Sequence, residues 1–448
     1  MTAIALSIVA CIGALLLLLS MLRMTRLSLG IPFAYLFLLE LIHVPGALAH
    51  LASDGVLTDP ELTQLGIEYA AAGCCCFVAG VALARYRRPR QLPPQAADRT
   101  SFSLFCLAGG WFFTYGTGPL RMIPTLSALI DKGGAVWMLG VMLGLREAVA
   151  RASIKWTAIW LAALAIYPTL TLLMGGFLSY GSTAVVVVLS VLAISVRSRW
   201  RVLAGVVVVA VLAFNLFLSY FQNRDDIREA VWGGGTMAER VDATLGIVRD
   251  FEWFDPSNEV HLYALDQRLN QNYFVGLAAT RIAQGQVEFL HGRSLWEGLE
   301  SLVPRALWPD KPVSAGSPEI VAEMTGLQLS ESTSFGVGNV MEFQINFGIV
   351  GVIGGFLLLG FLLGWLDRAA ALAERAGDLG QTLVYFLPAV ALIQPNGSIV
   401  ELVSGGAAAW LIAHAWRWSW RMWAASAAYK RRLRQAARRA PALDRSGR

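Results

Sequence analysis

About eleven stretches of this chain are apolar over the length needed to cross a hydrocarbon layer roughly 30 Å thick, and that limits what it can fold into. They run near 2–22, 28–51, 64–84, 102–118, 134–150, 156–177, 182–197, 202–221, 347–366, 381–396 and 398–416. In lipid every backbone N–H and C=O must be paired within the protein, which leaves helices and closed barrels; uninterrupted apolar runs of this length predict helices. With 56% apolar and 15% charged residues, the chain lacks the polar surface of a soluble domain. The expected fold is all-α: a polytopic membrane protein with about eleven transmembrane helices and one large periplasmic loop containing amphipathic helices.

Lys and Arg in short loops set the orientation. Arg23 and Arg26; Arg85, Arg87, Arg88 and Arg90; Arg146, Arg151 and Lys155; Arg197, Arg199 and Arg201; and Arg368 and Arg375 fall on alternate loops, and the tail KRRLRQAARR continues the series. These loops are therefore expected on the cytoplasmic side of a bacterial inner membrane, with the N-terminus periplasmic and the C-terminus cytoplasmic. The first window runs directly into Arg23 and is too long for a cleaved signal, which predicts a retained anchor. The division that follows is an N-terminal bundle of about eight helices over 1–221, a periplasmic segment over 222–346, about three helices over 347–416, and a basic tail over 417–448. The net charge of +5 is then mostly a topology signal, so no nucleic-acid partner is expected, while the tail can meet anionic lipid. Cys11, Cys74, Cys75, Cys76 and Cys106 lie in apolar stretches without metal-site spacing, and neither a P-loop nor a nucleotide fingerprint occurs. No metal and no cofactor is expected.

The 222–346 segment carries most of the remaining chemistry. GGGTMAERVDATLGIV reads as a glycine turn followed by a helix, and ALDQRLNQNYFVGLAATRIAQG continues at helical spacing with Leu265, Leu269, Tyr273 and Leu277. In SLVPRALWPDKP, prolines break the helix and frame Arg305, Trp308 and Lys311. A planar guanidinium and a point-charge ammonium on one stiff loop suit a diphosphate; a structural clamp with Arg305 paired to Asp310 is the alternative. Arg121, Arg268 and Arg281 are further cations expected on that side; Arg224 and Arg228 beside Asp225 and Asp226 read as surface ion pairs. Glu342, between an apolar run and the ninth window, is a candidate general base or a carboxylate favouring a helix N-terminus. His261 and His291 are also placed on this face, as are Tyr180 with Ser182 and Thr183 in one short turn and Gln394, Asn396 and Glu401 in another.

The run VPRALWPDKP, followed by Thr333-Ser334, Gly338, Glu342, Asn346-Phe347-Gly348 and Gly351, resembles the signature block of oligosaccharide repeat-unit polymerases, the Wzy-type O-antigen and exopolysaccharide polymerases. The block spans about 262–366. Such polymerases often carry Gly-Ser-Arg in the short outer hairpin and glycine before the glutamate; this chain has Gly181-Ser182-Thr183 and Met341. The resemblance implies a GT-C-like glycosyltransferase without metal or cofactor. It would join polyprenyl-diphosphate-linked oligosaccharides (undecaprenyl diphosphate in bacteria) by inverting transfer on the periplasmic face. Donor and acceptor would both be lipid-linked, with a flippase supplying them and a chain-length regulator acting on the product. In that scheme Arg305, Lys311, Arg281 and Glu342 are the catalytic candidates, the cations serving the leaving diphosphate. Arg268, Trp308, Arg121, Glu288, His291 and Tyr180 are the substrate-binding candidates, with Asp266 and Glu288 as reserve bases and Trp296, Tyr273 and Phe274 available to stack on sugars. A ligase moving a finished glycan, or a transporter of lipid-linked glycan, shares the topology.

Overall fold

The computed structural model describes residues 2–52, 58–86, 98–117, 129–130, 132–175, 179–196, 199–303, 307–308, 310–311, 317–328 and 336–439. Every regular element among them is helical. The N-terminal part comprises α1 (Thr2–Thr25), α2 (Ile31–Leu41), α3 (Val44–Ala52), α4 (Pro60–Arg85), α5 (Arg99–Trp111), α6 (Val136–Ala150), α7 (Ile154–Gly175), α8 (Ser179–Ser195) and α9 (Arg199–Gln222). The segment expected to be a loop holds α10 (Arg224–Trp232), α11 (Met237–Arg249), α12 (Glu259–Leu269), α13 (Gln271–Ala283), α14 (Arg293–Glu300) and α15 (Ser317–Thr325). Three helices follow: α16 (Asn339–Ala376), α17 (Leu379–Ala391) and α18 (Ile399–Arg439).

Each apolar window contains a helix, yet among the described residues only 6 helices are long and apolar enough to cross a membrane, or up to 7 if the bent pair formed by α9 and α10 is one span. These are α1, α2 with α3, α4, α7, α16 and α18, whereas α8 and α17 are apolar but shorter. α5 ends at Trp111 in a π-helical turn over Phe112–Gly116, so its window is only partly α-helical. The protein is thus an all-helical membrane protein, and the full count of eleven belongs to the proposal below.

The spine is the pair α4–α16, whose backbones approach closely because small residues face each other. A Cβ on Gly80 would stand 2.2 Å from the Leu357 carbonyl oxygen, and one on Gly360 2.2 Å from that of Phe77. Without a hydrophobic drive between helices in lipid, such dispersion contact is what holds them. At the other end of α4, α13 packs in the same way: a Cβ on Gly66 would meet the Asn272 oxygen at 2.1 Å, and one on Gly276 the Leu62 oxygen at 2.0 Å. Val275 and Ala278 join the main core, so α13 is an integral part of the bundle and not a helix lying on its surface.

Ion pairs tie the helices together at one end. Asp367 of α16, fully buried, accepts from the Leu29 and Ile31 amides at 2.8 and 3.3 Å, capping the start of α2, and pairs with Arg85 from the end of α4. Glu374 takes Arg99 at 2.7 Å and Arg146 at 3.1 Å, and Arg375 donates to the Arg26 carbonyl. Basic residues from four separate sequence regions therefore gather at what we call the basic end. The opposite, loop end carries α10–α15; there α11 starts with Thr236 and Glu239 capping each other's backbone amides, the T-x-x-E pattern after the glycine turn.

Candidate active site at the loop end of the bundle

Three segments far apart in sequence converge where α16 begins. The first is the start of α16 itself, which breaks at Phe347 (φ −144°, ψ 21°) and Gly348 (φ 61°, ψ −144°), a conformation essentially open only to glycine. The break leaves the Ile345 carbonyl available, and it accepts from the Leu290 amide at 2.9 Å. Asn346 completes the join: its Oδ1 accepts from the Gly292 amide at 2.9 Å, and its Nδ2 donates to Ser294 Oγ at 2.8 Å and to the Glu342 carbonyl at 2.7 Å. The Asn-Phe-Gly run thus fixes the second segment, 288–297, onto the helix.

The third segment is the turn Gln394–Ile399 between α17 and α18. Asn339 donates from its backbone to the Pro395 oxygen at 2.8 Å and from its side chain to the Gly397 oxygen at 3.0 Å, while Tyr35 of α2 donates to Asn339 Oδ1 at 2.7 Å. Glu342, with no exposed surface, accepts from the Ile399 amide at 2.7 Å through Oε2, Ser294 lies beside it, and its Oε1 has no hydrogen-bond partner among the described residues. Glu401 and Glu297 are close enough to oppose its charge. Burial pushes the Glu297 carboxyl up; Arg293, which also holds Glu323 at 2.6 Å, partly opposes this. Glu401 is exposed, and a Cβ on Gly397 would touch both its Oε2 at 2.8 Å and Gln394 Cβ at 3.1 Å. The two carboxylates therefore flank one turn, Glu342 beneath it and Glu401 reachable from outside.

A cavity of about 610 Å3 opens beside that turn. Its walls are mostly apolar and aromatic, including Trp111, Trp137, Tyr167, Leu170 and Leu387, with Lys132, Gln394, Ser404 and Thr114 supplying the polar groups. A Cβ on Gly405 would lie 3.2 Å from Lys132 Nζ and 3.7 Å from Gln394 Nε2, so the ammonium and the amide share one side of α18. An apolar chamber with a few convergent polar groups is the usual form of a small-molecule site. Lys132 and Tyr167 were not among the sequence candidates. Tyr167 lies inside an apolar run that reads only as a span, and Lys132 is one of the few charges between two apolar windows.

The remaining sequence candidates are spread out. Arg121 and Arg305 lie outside the described residues, as does the side chain of Tyr180 in the first turn of α8. Lys311 donates from Nζ to the Val303 oxygen at 3.2 Å, its backbone amide bonds to the Trp308 oxygen at 3.2 Å, and Trp308 is exposed, as is Trp296 on α14. Glu288 and His291 are exposed in the strap seated on the α16 break, His291 with a left-handed backbone (φ 46°). Arg281 donates to Gln286 Oε1 at 3.1 Å and to the Met324 oxygen at 3.5 Å, linking α13 to α15. Arg268 lines a separate pocket of about 300 Å3, its guanidinium 5.0 Å above the Phe221 ring, where burial first and then Arg224 and Arg228 hold its pKa below the usual arginine value. Tyr273 and Phe274 form an edge-on pair at 5.4 Å, Phe274 against the core.

Asp266, the reserve base, is saturated. It accepts from His50 at 3.1 Å, the Thr58 hydroxyl at 2.9 Å, the Thr58 amide at 3.1 Å and Asn270 at 2.7 Å. Burial pushes its carboxyl up, but these hydrogen bonds outweigh that and hold it below its ordinary value. No group of three or more His, Cys, Asp or Glu among the described residues has a metal-holding arrangement. No family model, no curated protein and no solved structure matches the chain.

Proposed function

We propose that the protein is a polymerase of polyprenyl-diphosphate-linked oligosaccharides, with about eleven membrane crossings, its loop end in the periplasm and its basic end in the cytoplasm. The observation that carries the reading is the juxtaposition at the loop end of a carboxylate pair, Glu342 and Glu401, with an amphipathic cavity bearing Lys132 and Gln394. The block of residues that resembles the Wzy-type signature builds this place: Asn346 and Gly348 seat the strap, and Glu342 holds the turn.

In this reading the anomeric carbon of the growing chain loses its bond to the diphosphate oxygen and gains one to a hydroxyl oxygen of the incoming repeat unit, with inversion. The hydroxyl proton passes to a carboxylate. Glu401 is the member of the pair that a sugar can reach, and Glu342, bonded to the Ile399 amide, fixes the turn that presents it. Negative charge growing on the departing diphosphate calls for preorganised cations. Lys132 at the cavity, with Lys311 and Arg305 from the proline-framed loop, are the groups we assign to it, and exposed Trp308 and Trp296 offer faces for sugar rings.

The test is reconstitution of the full chain in liposomes with polyprenyl-diphosphate repeat units, followed by gel separation of the lipid-linked glycans. A ladder from wild type that collapses to single units in Arg305→Ala and Lys311→Ala supports the assignment. Transfer of a preformed long glycan to a different acceptor without any ladder would replace the polymerase by a ligase, and protein-dependent crossing of the repeat units without new bonds would replace it by a transporter.

A further inference from the structure

A second and larger cavity, about 940 Å3, lies at the basic end, and the polymerase reading makes no use of it. Among the described residues, four with guanidinium groups line it, Arg23, Arg26, Arg146 and Arg375, and no carboxylate does. They come from three regions of the chain: the end of α1 and the turn beyond it, the end of α6, and the end of α16. The opposite lining is apolar, with Leu16, Leu19, Val149 and Leu192 among it. Trp200, 80% exposed, stands at the rim.

Backbone carbonyls hold two of the cations, Arg23 and Arg375. Arg23 donates to the Ala193 and Val196 oxygens, each at 2.8 Å, filling the open carbonyls at the end of α8. Arg375 donates to the Arg26 carbonyl, in a turn where Arg26 takes a left-handed backbone (φ 51°). Arg146 is tied to a carboxylate, Glu374, which it shares with Arg99. Positive charge therefore exceeds negative charge around a space that is wide enough for a headgroup and apolar on the side where acyl chains would run. Carbonyl contacts hold a guanidinium without neutralising it, and several guanidinium groups around one space favour an anion between them.

We infer that this cavity is a binding site for the phosphate of an anionic phospholipid, its acyl chains lying along the apolar lining and Trp200 at the headgroup level. Basic pockets between membrane helices recognise lipid phosphate by this combination of charge and apolar wall, and interfacial tryptophan marks the depth. The inference stands independently of the enzyme reading, since a transporter or ligase with the same bundle would bind the lipid equally.

The full chain, purified in neutral detergent, is titrated with phosphatidylglycerol, with phosphatidylcholine and with inorganic phosphate, while native mass spectrometry counts retained lipid and thermal unfolding reads protection. Phosphatidylglycerol is expected to be retained and to raise the unfolding midpoint by several degrees, with neither effect from the other two. The double variant Arg26→Gln/Arg375→Gln should bind it about twentyfold more weakly. Arg26→Gln alone, whose guanidinium no ion pair holds among the described residues, tests the site if the double variant fails to fold, and should weaken binding about fivefold. Arg421→Gln, exposed on α18 and away from the cavity, should leave it unchanged. Equal retention of phosphatidylcholine, unaltered affinity in the Arg26→Gln variants, or equal protection by inorganic phosphate would overturn the lipid assignment.

Discussion

Two buried polar clusters lie at the loop end, and they are built on opposite principles. Around Asp266 every strong acceptor is met: His50, Thr58 and Asn270 donate to the carboxylate, Asn270 reaches Thr63 at 3.1 Å, and Asn272 donates to the Asn270 side chain at 3.0 Å and the His43 oxygen at 2.7 Å. Around Glu342 donors are short among the described residues, since Glu297 and Glu401 crowd it, its Oε1 has no hydrogen-bond partner, and Arg293 is shared between Glu297 and Glu323. A saturated network stabilises and specifies a fold; a carboxylate group left short of donors costs stability and is kept where chemistry needs it. On the proposed function, the contrast separates scaffold from site.

The largest expected effect lies in the scaffold. Asp266→Ala leaves His50, Thr58 and Asn270 without their shared acceptor, and thermal unfolding in detergent should show a loss of about 3 kcal/mol. Next comes the site: Glu401→Gln should lower the initial rate of ladder formation by about 100-fold or more while the unfolding midpoint stays at the wild-type value. Glu342→Gln keeps an acceptor for the Ile399 amide, so it should fold normally and slow the reaction by about tenfold through a poorly held turn. A loss of stability in Glu401→Gln matching that of Asp266→Ala would erase the distinction. Lys311→Ala should change stability by less than about 0.5 kcal/mol, because Lys311 is only partly buried, so any loss of the ladder reports substrate contact.

The smallest effect is a pH dependence. Asp266 is held below the ordinary carboxylate value, so its contribution is fully present above the unfolded value near ~4 and fades as pH falls through the folded one. Unfolding midpoints measured from neutral to acid pH should therefore drop more steeply for wild type than for Asp266→Asn across that acid range.

The helices were legible because their periodic apolar runs have no alternative in lipid, and Glu342 was legible because a carboxylate beside an apolar run is conspicuous. The partners of Glu342 were not. Ser294 and Glu297 sit in what reads as an ordinary polar loop, and only the break at Gly348 brings that loop onto α16. Likewise Tyr35 bonds Asn339 across 304 positions, a pairing that no local pattern encodes. Periodicity also hid a turn inside a span: window 28–51, one crossing by length, is two helices, α2 and α3, because the chain turns at Ile42 and His43, where the Ile42 oxygen accepts from the Gln271 amide at 3.0 Å. Nor does helical spacing alone tell that α13 enters the bundle: its ends are polar, Asn270 to Asn272 and Arg281, while Gly276 in its middle lets it approach α4 closely.

The most direct test of the central claim is the rate of lipid-linked ladder formation by Glu401→Gln in liposomes, measured beside Asp266→Asn at equal amounts of folded protein. A ladder lost in the first and retained in the second is the predicted result. A Glu401→Gln enzyme that polymerises at the wild-type rate would contradict a reaction centred on the Glu342–Glu401 pair.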